Sequence, residues 1–415
     1  MRLRQLLLAT LAGVILFTTP VTAQKFYPDD PLLKEPPPYD TEPGNYRTLS
    51  SILELVDNTF GSPGEQPPQD GVIPAGGVNT LGEVMDGPWY VNRHGRRRMT
   101  REELQRGPGD QHPPAADRPW SVLTVKSQGI RPGLLIRDSR EQVYGLLFDP
   151  PKYLEMATGA DVVSSKFFYA LGYWVPESYI VYFERHQLEA SPEGEDIDSQ
   201  GKPRQLVERD IDDFLRKAPR DSQGRYRGVA IRIPPGDILG PYQFTGTRTD
   251  DPNDIVLHEH RRDLRGLYVF AAWLDHHVLS PLNREDILVE EDGIRHIRKY
   301  LVDFTATLGS SGFRAKDAWE GNERLLTWRA SIRNFAGMSV YTPGWMRARY
   351  PKFSAVGNFE YEAFDPEKWT PAYYLPPFVN RLPDDSFWAA KQVMAFTKRT
   401  SAPSWRWAST ATPRQ

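Results

Sequence analysis

The sequence predicts an α+β chain of two lobes, an antiparallel-sheet lobe followed by a mostly helical one, with a proline-rich arm ahead of both. Three observations carry this expectation. Short β-rich runs separated by turn residues fill Trp120 to Phe148, and a helical pattern follows them. Leu264, Leu267, Tyr268, Ala271 and Leu274 then fall at helical spacing, with one face turned inward. After a polar segment from Asp275 to Asn283, the run Ile287 to Glu290, the turn Glu291-Asp292-Gly293 and the run Ile294 to Val302 read as a β-hairpin.

Composition bounds the rest. With 415 residues the chain is long enough for one large domain or two ordinary ones, and a net charge of −3 gives no global field for nucleic acid. A hydrophobic fraction of 39% with 37 prolines implies long irregular segments around a folded centre. Arg2 and Arg4 precede an apolar run from Leu6 to Phe17 and the small-residue site Val21-Thr22-Ala23, the pattern of an export signal cleaved before Gln24. That run is short of the roughly 20 residues a membrane span needs. The chain has no cysteine, which excludes a disulfide framework, a lipoprotein anchor and thiol chemistry. Together these point to a periplasmic or secreted location, with no transmembrane segment beyond the signal.

In order, residues 1–23 are the expected signal and 24–119 the proline-rich arm, with one short helix around Leu49 to Val56. Within the arm, Trp89-Tyr90-Val91 is apolar enough to dock. Arg93-His94-Gly95-Arg96-Arg97-Arg98 is a basic run that reads as a solvated linker or, less blandly, as a binder of phosphate or anionic lipid. Thr100-Arg101-Glu102-Glu103 is a capping box. Residues 120–240 form the sheet lobe: strands at Trp120 to Val125, Leu134 to Arg137 and Val143 to Phe148, a helix from Tyr153 to Leu171, a strand from Val175 to Phe183, a charged insertion at Glu184 to Ser222 with a helix at Glu208 to Lys217, and a strand from Arg225 to Ile233. Residues 241–400 form the helical lobe, with further helices around Arg324 to Phe335 and Ser386 to Thr397, and 401–415 is a frayed tail.

Strand, glycine-containing turn (Gly129 and Gly133), strand, turn, strand and helix, then helix, polar loop with an Asn, hairpin and Asp303-Phe304, is the order in which kinase-like folds present phosphate-binding, catalytic and metal-binding loops. The chain resembles a family of exported, uncharacterised bacterial proteins that are distant relatives of HipA-like and secreted kinases. The resemblance rests on Asn79-Thr80-Leu81-Gly82-Glu83-Val84, the run Asn92 to Thr100, Phe148-Asp149-Pro150-Pro151, Ser164 to Tyr173, and His258-Glu259-His260-Arg261-Arg262 through Leu301-Val302-Asp303-Phe304. It implies a protein-kinase-like fold that binds ATP with Mg or Mn through Lys126, Gly129, Gly133 and Asp161. In that order the helix acid (Asp161, or Glu155) holds a lysine of the third strand, and Asn283 and Asp303 hold the metal.

Carried over residue by residue, the pattern is incomplete. The third-strand lysine position is Leu147, and the catalytic aspartate, five residues before Asn283, is Val278. Thr305 replaces the glycine after Asp303-Phe304. A missing base costs ~10²–10⁴-fold, and a missing charge clamp is comparable. Lys126, Lys152 or His277 is left to substitute, which makes His277 and Asp303 the catalytic candidates.

The expectation is therefore a kinase-like protein with a degraded site, acting as a pseudokinase-like binder or regulator of an unidentified protein or envelope component. One alternative is an atypical ATP-dependent phosphotransferase. A second is a metal-binding protein using His258, His260, His276 and His277 with Asp275, Glu259 and Asp263, because imidazole and carboxylate ligands suit zinc. A serine-hydrolase elbow is absent, and the Arg93 to Arg98 run alone is a weak nucleic-acid signal.

Overall fold

Six strands pair into one sheet whose successive side chains point to opposite faces, each face being covered by apolar residues. The structure is a computed structural model that describes residues 32–42, 54, 59, 72–109, 112–126, 132–197, 202–280, 282–324, 349–350, 355–359 and 365–396. The expected export signal, Gly129, the tail 401–415 and most of the helices expected around Leu49 to Val56 and Arg324 to Phe335 lie outside the described residues.

α1 (Arg101–Arg106) opens on the expected capping box, with Thr100 accepting from the Glu103 amide and Glu103 accepting from the Thr100 amide. β1 (Trp120–Lys126), β2 (Gly133–Arg137) and β3 (Val143–Phe148) form an antiparallel meander. α2 (Met156–Leu171) follows, then β4 (Ser178–Phe183). The insertion supplies β5 (Leu188–Ala190), β6 (Glu195–Ile197), β7 (Pro203–Gln205) and α3 (Glu208–Leu215) before β8 (Tyr226–Arg232). The sheet order is β4-β8-β3-β2-β1-β5, with β5 joining β1 in parallel. The two faces of this sheet are covered differently. Leu147, Ile180 and Val229 meet Val162 of α2. Leu146, Ile136 and Val122 belong to a second cluster with Ile211, Phe214 and Leu215 of α3. The insertion is thus part of the core rather than an appendage, because α3 buries its apolar stripe on the sheet.

β9 (Asp237–Gly240), β10 (Arg284–Glu291) and β11 (Ile294–Leu301) make a second, three-stranded sheet. The expected hairpin closes through Asp292 and Gly293, whose φ values of 52° and 77° suit a two-residue turn between twisted strands. β9 went unread because it is only four residues long and sits in a glycine- and proline-rich stretch. α4 (Arg262–Trp273) precedes the hairpin, and the short α5 (Pro376–Val379) and α6 (Pro383–Val393) follow it. α6 begins with proline at its first turn. Gly266 of α4 lets Trp388 of α6 approach, since a Cβ there would lie 2.5 Å from the indole. Buried Asp385 ties the same pair together by accepting from Arg262 Nε at 2.9 Å.

α2 starts three residues later than expected because Glu155 holds a left-handed φ of 71°, which ends the preceding turn rather than extending a helix. The apolar run of the arm docks. Trp89 and Tyr90 are buried in the largest core cluster, beside Phe168, Tyr173, Leu264 and Trp388. Other described arm residues, Leu33, Tyr39, Val72, Ile73 and Leu81 among them, lie exposed on the surface.

Candidate functional site

α4 ends in the loop Asp275-His276-His277, the hairpin departs from Asn283, and it returns at Asp303. The Val302 amide donates to the Asn283 carbonyl at 2.9 Å, which closes the hairpin base. Asn283 Nδ2 donates to the Asp303 carbonyl at 3.2 Å. Its Oδ1 accepts from the Ser280 amide at 2.9 Å and the Ser280 hydroxyl at 2.6 Å. These partners fix the amide orientation, because a carbonyl can only accept and a backbone N–H only donate. Asp303 holds a φ of 65°, a conformation that non-glycine residues seldom adopt outside constrained sites. Its Oδ1 accepts from the Thr305 hydroxyl at 2.7 Å and the Thr305 amide at 3.3 Å.

α2 supports this turn from the other side. Asp161 Oδ2 accepts from the Phe304 amide at 3.0 Å, and its Oδ1 accepts from the Ser178 hydroxyl at 2.7 Å. Phe304 stacks on Phe168 with ring centroids 5.0 Å apart. Ser164 and Thr307 share a hydrogen bond of 2.7 Å one helical turn further on.

The segment after Asp303 folds back and is clamped to the α4 loop. Asp275 is fully buried, with a φ of 53°. Lys316 Nζ lies 2.5 Å from its Oδ2, and Trp369 Nε1 donates to its Oδ1 at 3.3 Å. His277 Nε2 lies 3.6 Å from Glu320 Oε1. Glu320 Oε2 accepts from Ser311, Arg314 and the Asp317 amide at 2.8, 2.9 and 2.6 Å. Burial would raise the Glu320 carboxyl, but the hydrogen bonds from His277, the Asp317 amide and Ser311, with the His277 charge, bring it down to about 2.

The expected site residues fall into place unevenly. Asn283 and Asp303 come together, and Asp161 joins them. Asp161 does so in a different role: it anchors Phe304 and Ser178 and does not reach toward β3 for a lysine. Leu147 is half-buried among Val162, Ile180 and Val229. Val278 is half-buried and Lys152 exposed. Gly133 is not a loop residue but the first residue of β2, where a Cβ would meet Leu147 Cδ2 at 2.7 Å. It serves sheet packing. Lys126 ends β1, paired with Gly133, which pairs in turn with Leu147. His277 is buried against Glu320 and Ser311.

The histidine metal centre does not assemble. Among the described residues no three His, Asp or Glu side chains converge as ligands. His258 bonds Asp254 at 2.7 Å and the Gln243 carbonyl, His260 bonds Arg265 at 2.6 Å, and His276 faces the Ala306 carbonyl at 3.2 Å. Each is taken by a protein partner rather than turned toward the other histidines. Nor do Asn283 and Asp303 suit Mg or Mn as they stand. Such an ion wants about six oxygen ligands, and the Asn283 oxygen is already spent on two donors of Ser280.

Reading the sequence alone missed Asp275, Lys316 and Glu320 as a unit. Asp275 could have been suspected as the acid that ends an apolar helix face. Lys316 and Glu320 lie in a loop without periodicity, so nothing in the sequence pairs them with the α4 loop. A pocket of about 420 Å³ opens beyond the end of β3, between Phe148, Pro150, Pro151, Phe214, Lys217 and Phe313, and neither Asn283 nor Asp303 lines it. No family model, curated protein or solved structure matches the chain.

Proposed function

We propose that the chain is a kinase-like protein of the cell envelope that works by binding a protein or envelope component, not by phosphoryl transfer. The observation that carries this reading is the pairing of Asn283 with Asp303 at the hairpin base, braced by Asp161, while the two positions that would supply charge and base are Leu147 and Val278. The strand-strand-strand-helix-strand order ahead of the site supports the same fold reading. Phosphoryl transfer depends on charge neutralisation and positioning, and an apolar Leu147 with an Asn283 oxygen already bonded supplies little of either. ATP is also scarce outside the cytoplasm, where the export signal would deliver the chain.

A second reading, an atypical phosphotransferase using ATP with Mg or Mn, draws on one observation. The backbone of Lys126 in β1 is in register with Gly133 of β2, which pairs in turn with Leu147 of β3. The experiment that separates the two readings incubates the chain from Gln24 onward with γ-labelled ATP and Mg or Mn. The binding reading expects no label transferred above background. Transfer that disappears in Asp303→Ala would overturn it in favour of the phosphotransferase.

A further inference from the structure

Within the basic run Arg93 to Arg98, Arg93 is half-buried and His94 buried, while Arg96, Arg97 and Arg98 are exposed. Together with α1 and the face of α2 that carries Tyr169, the run walls a pocket of about 460 Å³ whose lining includes Arg93, Arg96, Arg97, Arg106 and Tyr169. That volume suits a small ligand. Arg93 anchors the wall. Its Nη1 donates to the Tyr169 and Tyr173 carbonyls at 2.9 and 3.0 Å, and its guanidinium lies 4.0 Å from the Tyr169 ring centroid. No carboxylate forms a direct ion pair with it among the described residues, and the Asp86 charge acts on it only from a distance.

The other cations are recruitable. Arg97 bridges Glu103 at 2.7 Å and Arg96 bridges Asp86 at 2.5 Å, both with solvent-accessible arginines. Such exposed pairs are worth ~1 kcal/mol or less. Arg106 is exposed and has no ion partner among the described residues. Lys166 stands one turn before Tyr169 on α2, with its stem against Gly107 of the pocket wall. It too lacks an ion partner, and burial pushes its ammonium down to about 8. Glu103 also lines the pocket; hydrogen bonds from Arg97 and the Thr100 amide hold its carboxyl at about 2, so it stays ionised and repels an anion from its own position in the lining. Guanidinium forks match tetrahedral oxyanions in geometry as well as charge.

We propose that this pocket binds a phosphate-type oxyanion, either free as a phosphate or phosphomonoester or carried on a lipid headgroup. The site is separate from the Asn283–Asp303 pair and stands whether or not the kinase-like reading does.

The test uses the chain from Gln24 onward in low salt, with inorganic phosphate and glycerol phosphate in calorimetric titrations. In parallel, the chain is co-sedimented with vesicles of 30% phosphatidylglycerol in phosphatidylethanolamine. Arg106→Gln, which removes no structural contact, should weaken binding at least fivefold, while Arg101→Gln on the same helix but outside the lining should leave it unchanged. Soluble phosphates that bind with this pattern identify a free ligand; vesicles alone that do so identify a headgroup. Either supports the pocket. No binding to any probe at 10 mM phosphate or 1 mM lipid, or binding indifferent to Arg106→Gln, overturns it.

Discussion

Asp161 and Phe304 lie 143 residues apart in the chain and are joined by one buried hydrogen bond, from the Phe304 amide to the Asp161 carboxylate at 3.0 Å. This bond ties the helix that packs on the first sheet to the turn that leaves the second. Asp161 also accepts from Ser178, so one buried carboxylate sets the spacing of α2, β4 and the Asp303 turn.

Asp161→Ala should therefore destabilise the fold by roughly 2–4 kcal/mol, because it strands two buried donors. Asp161→Asn keeps one acceptor and should cost less, about 1–2 kcal/mol. Urea denaturation followed by tryptophan fluorescence reads both. An Asp161→Asn variant as stable as the unmodified chain would mean that the carboxylate contributes packing alone.

The Asp275–Lys316 pair closes the segment after Asp303 onto the end of α4. Lys316→Met leaves a fully buried carboxylate without its cation and should cost ~3–5 kcal/mol. It should also expose the exposed Phe313 region to faster limited proteolysis. Asp275→Asn combined with Lys316→Met removes both charges and should recover much of that loss. A double variant as unstable as the single one would contradict the clamp.

Two buried glutamates should give opposite pH signatures. Burial, with the nearby Asp286 charge, raises Glu285 to about 7, and its Oε2 is buried without a hydrogen bond. Its folded pKa lies above the unfolded one, so the folded state holds the extra proton and stability falls as pH rises from about 4.5 to 7. Glu285→Gln should stabilise by roughly 2 kcal/mol at pH 8, and the gain should vanish near pH 4. Glu320 is shifted the other way, to about 2. Its stabilisation is present above about 4.5 and is lost as pH falls toward 2. Glu320→Gln should cost roughly 2 kcal/mol at pH 7 and little near pH 2. Stability curves for the two variants between pH 3 and 8 that do not diverge in opposite directions would refute this assignment.

Local signals in the sequence carried far where an element is periodic and capped. The Thr100 capping box, the hairpin through Asp292-Gly293 and the face of α4 all appear as read, because each is set by residues within a few positions of one another. What escaped is non-local. The three-residue β5 owes its existence to pairing with β1, and the docking of Trp89-Tyr90-Val91 was legible while its partners Tyr173, Leu264 and Trp388 were not. In the candidate site, Asn283 and Asp303 were legible since the hairpin that joins them is local. Asp161 was named from the sequence, but its bond to the Phe304 amide was not, because a backbone group is announced by no side-chain pattern. Lys316 and Glu320 were invisible for the same reason of distance.

The proposed binding role implies that the Asn283–Asp303 turn does not serve metal-dependent nucleotide chemistry. A thermal-shift titration of the chain from Gln24 onward with ATP, Mg and Mn, each alone and in combination, tests it most directly. A ligand that binds only the folded state stabilises it by RT ln(1 + [L]/Kd), so even weak binding registers at millimolar ligand. The account predicts no shift that requires nucleotide and metal together. A shift that needs both and is abolished by Asp303→Ala would contradict it.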